Sequence, residues 1–139
     1  MKDTLRVGTT FKRRLTVDRE RTISFMGEEG RVYSTPNLIR DVEHACRDCI
    51  LAHADPGEDS VGMEVALKHL APTLPDMEVE ITVTVSAVEK RKIVFDVSVK
   101  DALEPISAGS HTRFVVDTAK TIERLKAKKA KVAAARQHS

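Results

Sequence analysis

The stretch TPNLIRDVEHACRDCILAHA, residues 35–54, decides the fold, because it predicts the long helix on which the strands that follow can pack. At about 100° per residue, its apolar positions share one broad face, which is typical of a helix that covers a core. These positions are Leu38, Ile39, Val42, Ala45, Cys46, Cys49, Ile50, Ala52 and His53. Glu43 lies at the margin of this face, where a carboxylate can take part in proton transfer or nucleophilic attack. The alternative is a glutamate that turns its charge to water.

Two residues mark where this helix begins. Thr35 has the hydroxyl of an N-cap, and Pro36 suits the first turn, where its missing N–H costs nothing. Taken alone, Thr35 is therefore interpreted as a cap and not as a catalytic residue. Residues 55–57, Asp-Pro-Gly, cannot continue a helix and predict its end.

The chain changes to strand periodicity after the helix. Val61, Met63, Val65 and Leu67 share a phase with His69, so we expect this imidazole on the inner side of a strand, as a catalytic group or as a hydrogen-bonded core histidine. Residues 78–88, 93–99 and 106–117 predict three more strands joined by short turns, and residues 5–17 predict a first strand at an edge. In the last strand, a glycine at position 109 permits a bulge or the close approach of another backbone. The pattern predicts an α+β fold in which one long helix covers a five-stranded antiparallel sheet.

Composition and charge limit the classes of function. The 139 residues suit one domain, and no apolar run approaches a membrane span or a signal peptide, so we expect a cytoplasmic protein with no membrane partner.

Residues 120–139 hold seven Lys or Arg and one acid, a net of +6, which leaves −4 for the rest of a chain whose formal charge is +2. We divide the chain into a domain, residues 1–119, and a basic helical tail, residues 120–139. We do not expect this tail to bind nucleic acid, since the domain is acidic and poor in aromatic side chains.

Two cysteines raise the question of redox or metal chemistry. Cys46 and Cys49 have the C-x-x-C spacing, but they lie well inside the helix on its apolar face, where inert buried thiols are expected. With His53 they would offer three zinc ligands, although a catalytic zinc also needs an open polar cavity, and we predict no metal site. The sequence contains no Walker, dinucleotide or serine-elbow motif.

Three residues that are individually weak signals form a recognisable pattern together. The segment VYSTPNLIRDVEHAC places Thr35 eight residues before Glu43, and SVGMEVALKHLAPTLP places Gly62 seven residues before His69. This pattern resembles the fluoroacetyl-CoA thioesterase family of hotdog-fold acyl-CoA thioesterases, and the likeness continues through SAVEKRKIVFDVSVKD and SAGSHTRFVV, over roughly residues 2–118. The resemblance implies a hotdog fold that forms homodimers with active sites at the dimer interface, and further pairing of dimers into tetramers stays an open alternative.

The same resemblance implies roles for five residues in the hydrolysis of an acyl-CoA thioester. Glu43 would be the nucleophile or the base that activates water, His69 would move the proton, and Thr35 would orient one of them. Backbone N–H groups near Gly62 would stabilise the oxyanion. Arg113 would hold the pocket or contact CoA, unless it forms only a surface salt bridge. CoA is part of the substrate, so no separate cofactor is expected.

Two departures from the family pattern bear on the acyl group. The family's Thr-Gly-Phe is Thr35-Pro36-Asn37 in this chain, and the segment before Thr35 is shorter and lacks the family's aromatic lid residues. We therefore expect a short- or medium-chain acyl-CoA, or an aryl one, in place of a fluorinated substrate. The alternative function is a hotdog protein that binds acyl-CoA or another small ligand without catalysis.

Overall fold

A long helix, α1 (Thr35–Leu51), packs against a five-stranded antiparallel sheet in the computed structural model, which describes residues 1–138. The strands lie in the order β1 (Thr10–Thr16), β5 (Glu78–Glu89), β6 (Lys92–Lys100), β7 (Pro105–Asp117) and β4 (Glu58–His69). A small ribbon is formed by β2 (Thr22–Ile23) and β3 (Val32–Tyr33), and a second helix, α2 (Thr118–Gln137), follows the sheet. The expected α+β arrangement, with β1 at an edge, is confirmed.

The apolar face of α1 forms the core with the sheet, as the sequence predicts. Leu38, Val42 and Ile50 are fully buried against strand residues such as Ile81 and Phe95. One helix residue departs from the prediction. Asp41, which the helical periodicity puts on the polar side, is only 6% exposed.

The β2–β3 ribbon explains why Asp41 is buried. The hydroxyl of Tyr33 donates a hydrogen bond to the Asp41 carboxylate, and Arg21 Nε donates another at 2.9 Å. These bonds satisfy a charge that would be costly to bury alone. They also fasten the segment before α1 to the helix.

The start of α1 differs by one residue from the prediction. Ser34 is the N-cap, because its hydroxyl accepts a hydrogen bond from the backbone N–H of Asn37, and Thr35 is the first residue of the helix. The predicted role of Thr35 as a cap is therefore wrong. Since Ser34 satisfies the helix end, the hydroxyl of Thr35 is available for another partner.

A β-bulge changes the predicted phase of β4. Gly62 pairs with Arg113 of β7 and Glu64 pairs with Thr112, so Met63 is an extra residue without a partner. Because a strand has a period of two, one extra residue turns the side chains before it to the opposite face. Val61 and Met63 are thus 44% and 57% exposed, and the prediction that they point inward with His69 is wrong.

Gly109 allows β4 and β7 to approach each other closely, as predicted. An added Cβ at this position would lie 2.0 Å from the carbonyl oxygen of Ala66 and 2.9 Å from the Cα of Leu67.

We expect Gly109→Ala to lower the free energy of unfolding by about 3 kcal/mol, because backbone atoms have to move. Urea unfolding followed by circular dichroism measures the change. Gly62→Ala is the control, since its Cβ would meet side-chain atoms at ordinary distances of 3.5 Å or more, and an equal loss in both variants would contradict this explanation.

The basic segment at the end of the chain is helical in the structure, and its separation from the domain as a tail stays a prediction. Asp117 caps α2 by accepting a hydrogen bond from the backbone N–H of Lys120, and no residue of α2 is buried. Its first turns lie over Val61 and Phe114 on the outer face of the sheet. In residues 1–138, no helix has the length and apolar character needed to cross a membrane.

Candidate active site

Thr35 and His69 are joined by a hydrogen bond, although 34 residues separate them in the sequence. Thr35 Oγ1 lies 2.8 Å from His69 Nδ1. The start of α1 positions the hydroxyl, and the last residue of β4 positions the imidazole. Burial lowers the pKa of His69, so the ring is neutral at physiological pH and can accept a proton.

A largely apolar cavity of about 520 Å³ opens at this pair. Its polar groups include Thr35 and His69, and the remaining walls come mainly from the segment before α1 and the turn after β4. Those walls contain Ile23, Phe25, Val32, Tyr33, Leu70 and Pro72. One aromatic ring of that segment, Phe25, lines the cavity and is 90% exposed, so the site has an aromatic residue at its rim.

Tyr33 links this cavity to the buried Asp41. The ring of Tyr33 meets the ring of His69 edge to face, with centroids 6.4 Å apart, while its hydroxyl is bonded to Asp41. Burial and the adjacent Asp41 carboxylate raise the pKa of Tyr33, which keeps its phenol protonated. Tyr33 therefore supports the orientation of His69 and is not itself a base.

Glu43 belongs to a second polar cluster, near the middle of α1. Its side chain is 43% exposed, and its Oε2 lies 3.9 Å from Arg113 Nη1. An added Cβ at Gly62 would lie 3.8 Å from the same carboxylate oxygen, so the Gly62 backbone borders this cluster without a side chain in the way. A recess of about 270 Å³ opens here, and it is lined by Glu43, Gly62, Met63, Glu64, Val65 and His111.

Arg113 is a buried residue of this cluster and not a surface cation. It is 5% exposed, and its guanidinium donates to Ser60 through Nε (2.7 Å to Oγ) and Nη2 (2.8 Å to the carbonyl oxygen). Its Nη1 lies 3.2 Å from His111 Nε2. Desolvation lowers the pKa of Arg113, but a guanidinium starts so high that it stays charged. The alternative of a mere surface salt bridge does not hold.

Within one chain, the predicted residues form two groups and do not converge on one point. Thr35 and His69 lie at one end of α1, while Glu43, Gly62 and Arg113 lie about eight helical residues away, roughly 12 Å along the axis. Each group opens into its own recess. A reaction that uses both groups on one substrate therefore requires more than this single chain.

The cysteines do not contribute to either group. Both are buried, and burial raises the pKa of each thiol, which makes thiolate chemistry unfavourable. The side chain of His53 is bonded instead to Thr4, with Nδ1 2.6 Å from Oγ1. Over residues 1–138, no three side chains of the metal-binding types are grouped to hold an ion.

His111 is a functional residue that the motifs do not include, although the sequence contains a signal for it. His111 and Arg113 are two residues apart in the inward phase of β7, so a strand period of two puts both polar side chains on the core side. Two such groups on a buried strand face indicate a polar network. For Ser60 and Tyr33, no comparable signal exists, because single Ser and Tyr residues are common in cores.

Comparisons with known proteins agree on one group of relatives. A family model described as fluoroacetyl-CoA-specific thioesterase matches residues 17–119. The fluoroacetyl-CoA thioesterase of Streptantibioticus cattleyicolor is 30% identical over 123 residues, which is 84% of this chain and 88% of that protein. The structure of fluoroacetyl-CoA thioesterase FlK has a TM-score of 0.83 at 28% identity and covers 91% of this chain and 98% of its own. A Thermus thermophilus thioesterase superfamily member has a TM-score of 0.85 at 26% identity and covers 92% and 96%.

Proposed function

Because this chain belongs to the fluoroacetyl-CoA-specific thioesterase family and is a thioester hydrolase of the hotdog fold, we propose that it hydrolyses short- or medium-chain, or aryl, acyl-CoA esters to the free acid and CoA. The observation that carries the proposal is the 2.8 Å hydrogen bond between Thr35 and His69 at the mouth of an apolar cavity. An oriented imidazole beside an apolar recess suits a reaction in which a proton moves while an acyl chain is held.

The proposed active unit is a homodimer. β4 is an edge strand with its outer backbone unpaired in one chain, and Val65 in its middle is 40% exposed. If two copies pair along β4, a two-fold axis near Val65 and Ala66 lies midway between Gly62 and His69. Antiparallel pairing about that axis would bring the Gly62 and Glu43 group of one protomer beside the partner subunit's His69. Further pairing of such dimers into tetramers remains part of the proposal.

The proposed site is composite, because it takes residues from both protomers, and each of these residues has a defined role. Glu43 accepts a proton from water while the water oxygen adds to the thioester carbon, or its carboxylate adds directly and is released by water later. Backbone N–H groups near Gly62 stabilise the oxyanion, and Arg113 fixes the pocket beside Glu43. The C–S bond then breaks, and the proton that the water gave up passes by way of the partner's His69, which Thr35 orients, to the departing sulfur of CoA, so that Glu43 and the imidazole end in the states in which they began.

The size and lining of the cavity support the proposed choice of acyl group. A volume of about 520 Å³ with walls such as Ile23, Val32 and Leu70 suits an acyl chain of several carbons or an aromatic ring. The rim residue Phe25 would be covered by such a group, which turns its 90% exposure into buried apolar surface.

The reaction needs no cofactor apart from CoA within the substrate. The free buried thiols Cys46 and Cys49 support a reducing, cytoplasmic setting.

A hydrolysis screen tests this function directly. The purified protein is offered acetyl-, butyryl-, hexanoyl-, octanoyl-, benzoyl- and phenylacetyl-CoA, and release of CoA is followed with a thiol-reactive dye. We expect kcat/KM for the best medium-chain or aryl ester to exceed that for acetyl-CoA by about tenfold or more, since each buried methylene contributes about 0.8 kcal/mol. Tight binding of these esters without thiol release would favour the alternative, a non-catalytic acyl-CoA-binding protein.

A further inference from the structure

His111 is a buried histidine whose two ring nitrogens both have defined partners. The side chain is 2% exposed, with Nδ1 2.8 Å from the carbonyl oxygen of Glu64 and Nε2 3.2 Å from Arg113 Nη1. A carbonyl oxygen can only accept, so Nδ1 carries the hydrogen. Nε2 is then the acceptor for an N–H of Arg113. His111 is therefore a neutral imidazole with a fixed tautomer, and it is unavailable as a proton carrier.

The bulge in β4 supplies the group that fixes this tautomer. Since Met63 is the extra residue, Glu64 directly follows the irregularity, and its carbonyl oxygen meets the His111 ring across the two strands. Bulges commonly re-aim local groups next to functional sites. Here the re-aimed group is the backbone acceptor that holds His111.

His111 in turn is one of three contacts that determine where the Arg113 guanidinium lies. Ser60 binds Nε and Nη2, and His111 binds Nη1. Nη1 is also the nitrogen that lies 3.9 Å from Glu43 Oε2. In the described part of the chain, Arg113 is the one ion-pair partner of Glu43, so a shift of Nη1 changes the electrostatic attraction that acts on that carboxylate.

We propose that His111 is a positioning residue that, through Arg113, sets the orientation of the Glu43 carboxylate for thioester hydrolysis. This inference rests on the proposed function of Glu43. An added Cβ at Gly62 would lie 3.5 Å from His111 Cε1 and 3.8 Å from Glu43 Oε2, which places this network against the backbone that borders the reacting group. The residues that determine the geometry of the site therefore include His111 in addition to Thr35, Glu43 and His69.

Two amide substitutions separate this role from a purely structural one. In His111→Asn, the amide nitrogen can replace Nδ1 and bind the Glu64 carbonyl, but nothing reaches Arg113. In His111→Gln, the amide oxygen can replace Nε2 and accept from Arg113 Nη1. We expect His111→Asn to lower kcat about 30-fold while KM changes by less than about twofold. We expect His111→Gln to keep kcat within about threefold of the wild type. The reason is that a small misplacement of a catalytic group lowers the rate and not the binding of substrate.

A double-mutant cycle checks that the effect passes through Arg113. Arg113→Lys removes the planar guanidinium, so His111→Asn in that background is expected to cost no more than about twofold in kcat. Circular dichroism and urea unfolding of every variant report on folding. Equal activity of the Asn and Gln variants, or an undiminished loss in the Lys background, would overturn the positioning role. If Glu43→Ala itself keeps full activity, the proposed function fails, and the role of His111 fails with it. An inactive Glu43→Ala beside a fully active His111→Asn rejects the positioning role alone.

Discussion

Replacing Glu43 or His69 by alanine is expected to lower kcat for the best acyl-CoA ester about a thousandfold, the effect of losing a general acid or base. Glu43→Ala removes the carboxylate to which we assign the activation of water or the attack on the thioester. His69→Ala removes the imidazole that Thr35 holds at 2.8 Å. Thiol release at saturating substrate measures the loss. Since Glu43 is half exposed and His69 ends a strand, neither change should unfold the protein.

Matched exposed residues provide the controls for this prediction. His44 lies next to Glu43 on α1 but faces solvent, and Glu89 lies at the end of β5, in the turn to β6. His44→Ala and Glu89→Ala remove the same side-chain types and are expected to leave kcat within about twofold. Hydrolysis by Glu43→Ala and His69→Ala at the rate of these controls would show that the reaction does not use the proposed pair.

The fold could be predicted from the sequence because its strongest signals are periodic. The apolar stripe of α1 and the alternation in residues 78–88 each reflect burial on one face, and the structure contains both elements nearly as predicted. The phase of β4 could not be predicted, because a bulge at Met63 depends on pairing with β7 and leaves no mark in local periodicity. Asp41 was misplaced for a similar reason, since its burial depends on contacts with Tyr33 and Arg21 from outside the helix.

The candidate site was predicted in part. The resemblance to the thioesterase family indicated which residues belong to one pattern, namely Thr35, Glu43 and His69. The pattern contains no information on how far apart these residues lie in one chain. The structure joins Thr35 to His69 and puts Glu43 with Gly62 in a separate group. Whether the two groups form one site depends on how two chains assemble.

Mixed dimers are expected to recover activity when each protomer carries a different defect. In the composite arrangement, an active site takes Glu43 from one chain and His69 from its partner. A dimer of one Glu43→Ala chain and one His69→Ala chain then contains one site with both residues intact and one site with neither. Such a heterodimer, purified through two different affinity tags after coexpression, is expected to have about half the wild-type activity per dimer. Each mutant homodimer should be nearly inactive.

A second heterodimer tests whether recovery comes from the predicted geometry. Thr35 and His69 belong to the same group, so a dimer of Thr35→Ala and His69→Ala chains has one defect in each of its two sites, and no recovery is expected. If each site instead lies within a single chain, the Glu43→Ala and His69→Ala heterodimer stays as inactive as its parents. That result would exclude the composite site even if both residues are essential. Recovery only in the first pairing would mean that the edge of β4 joins two incomplete halves of one active site.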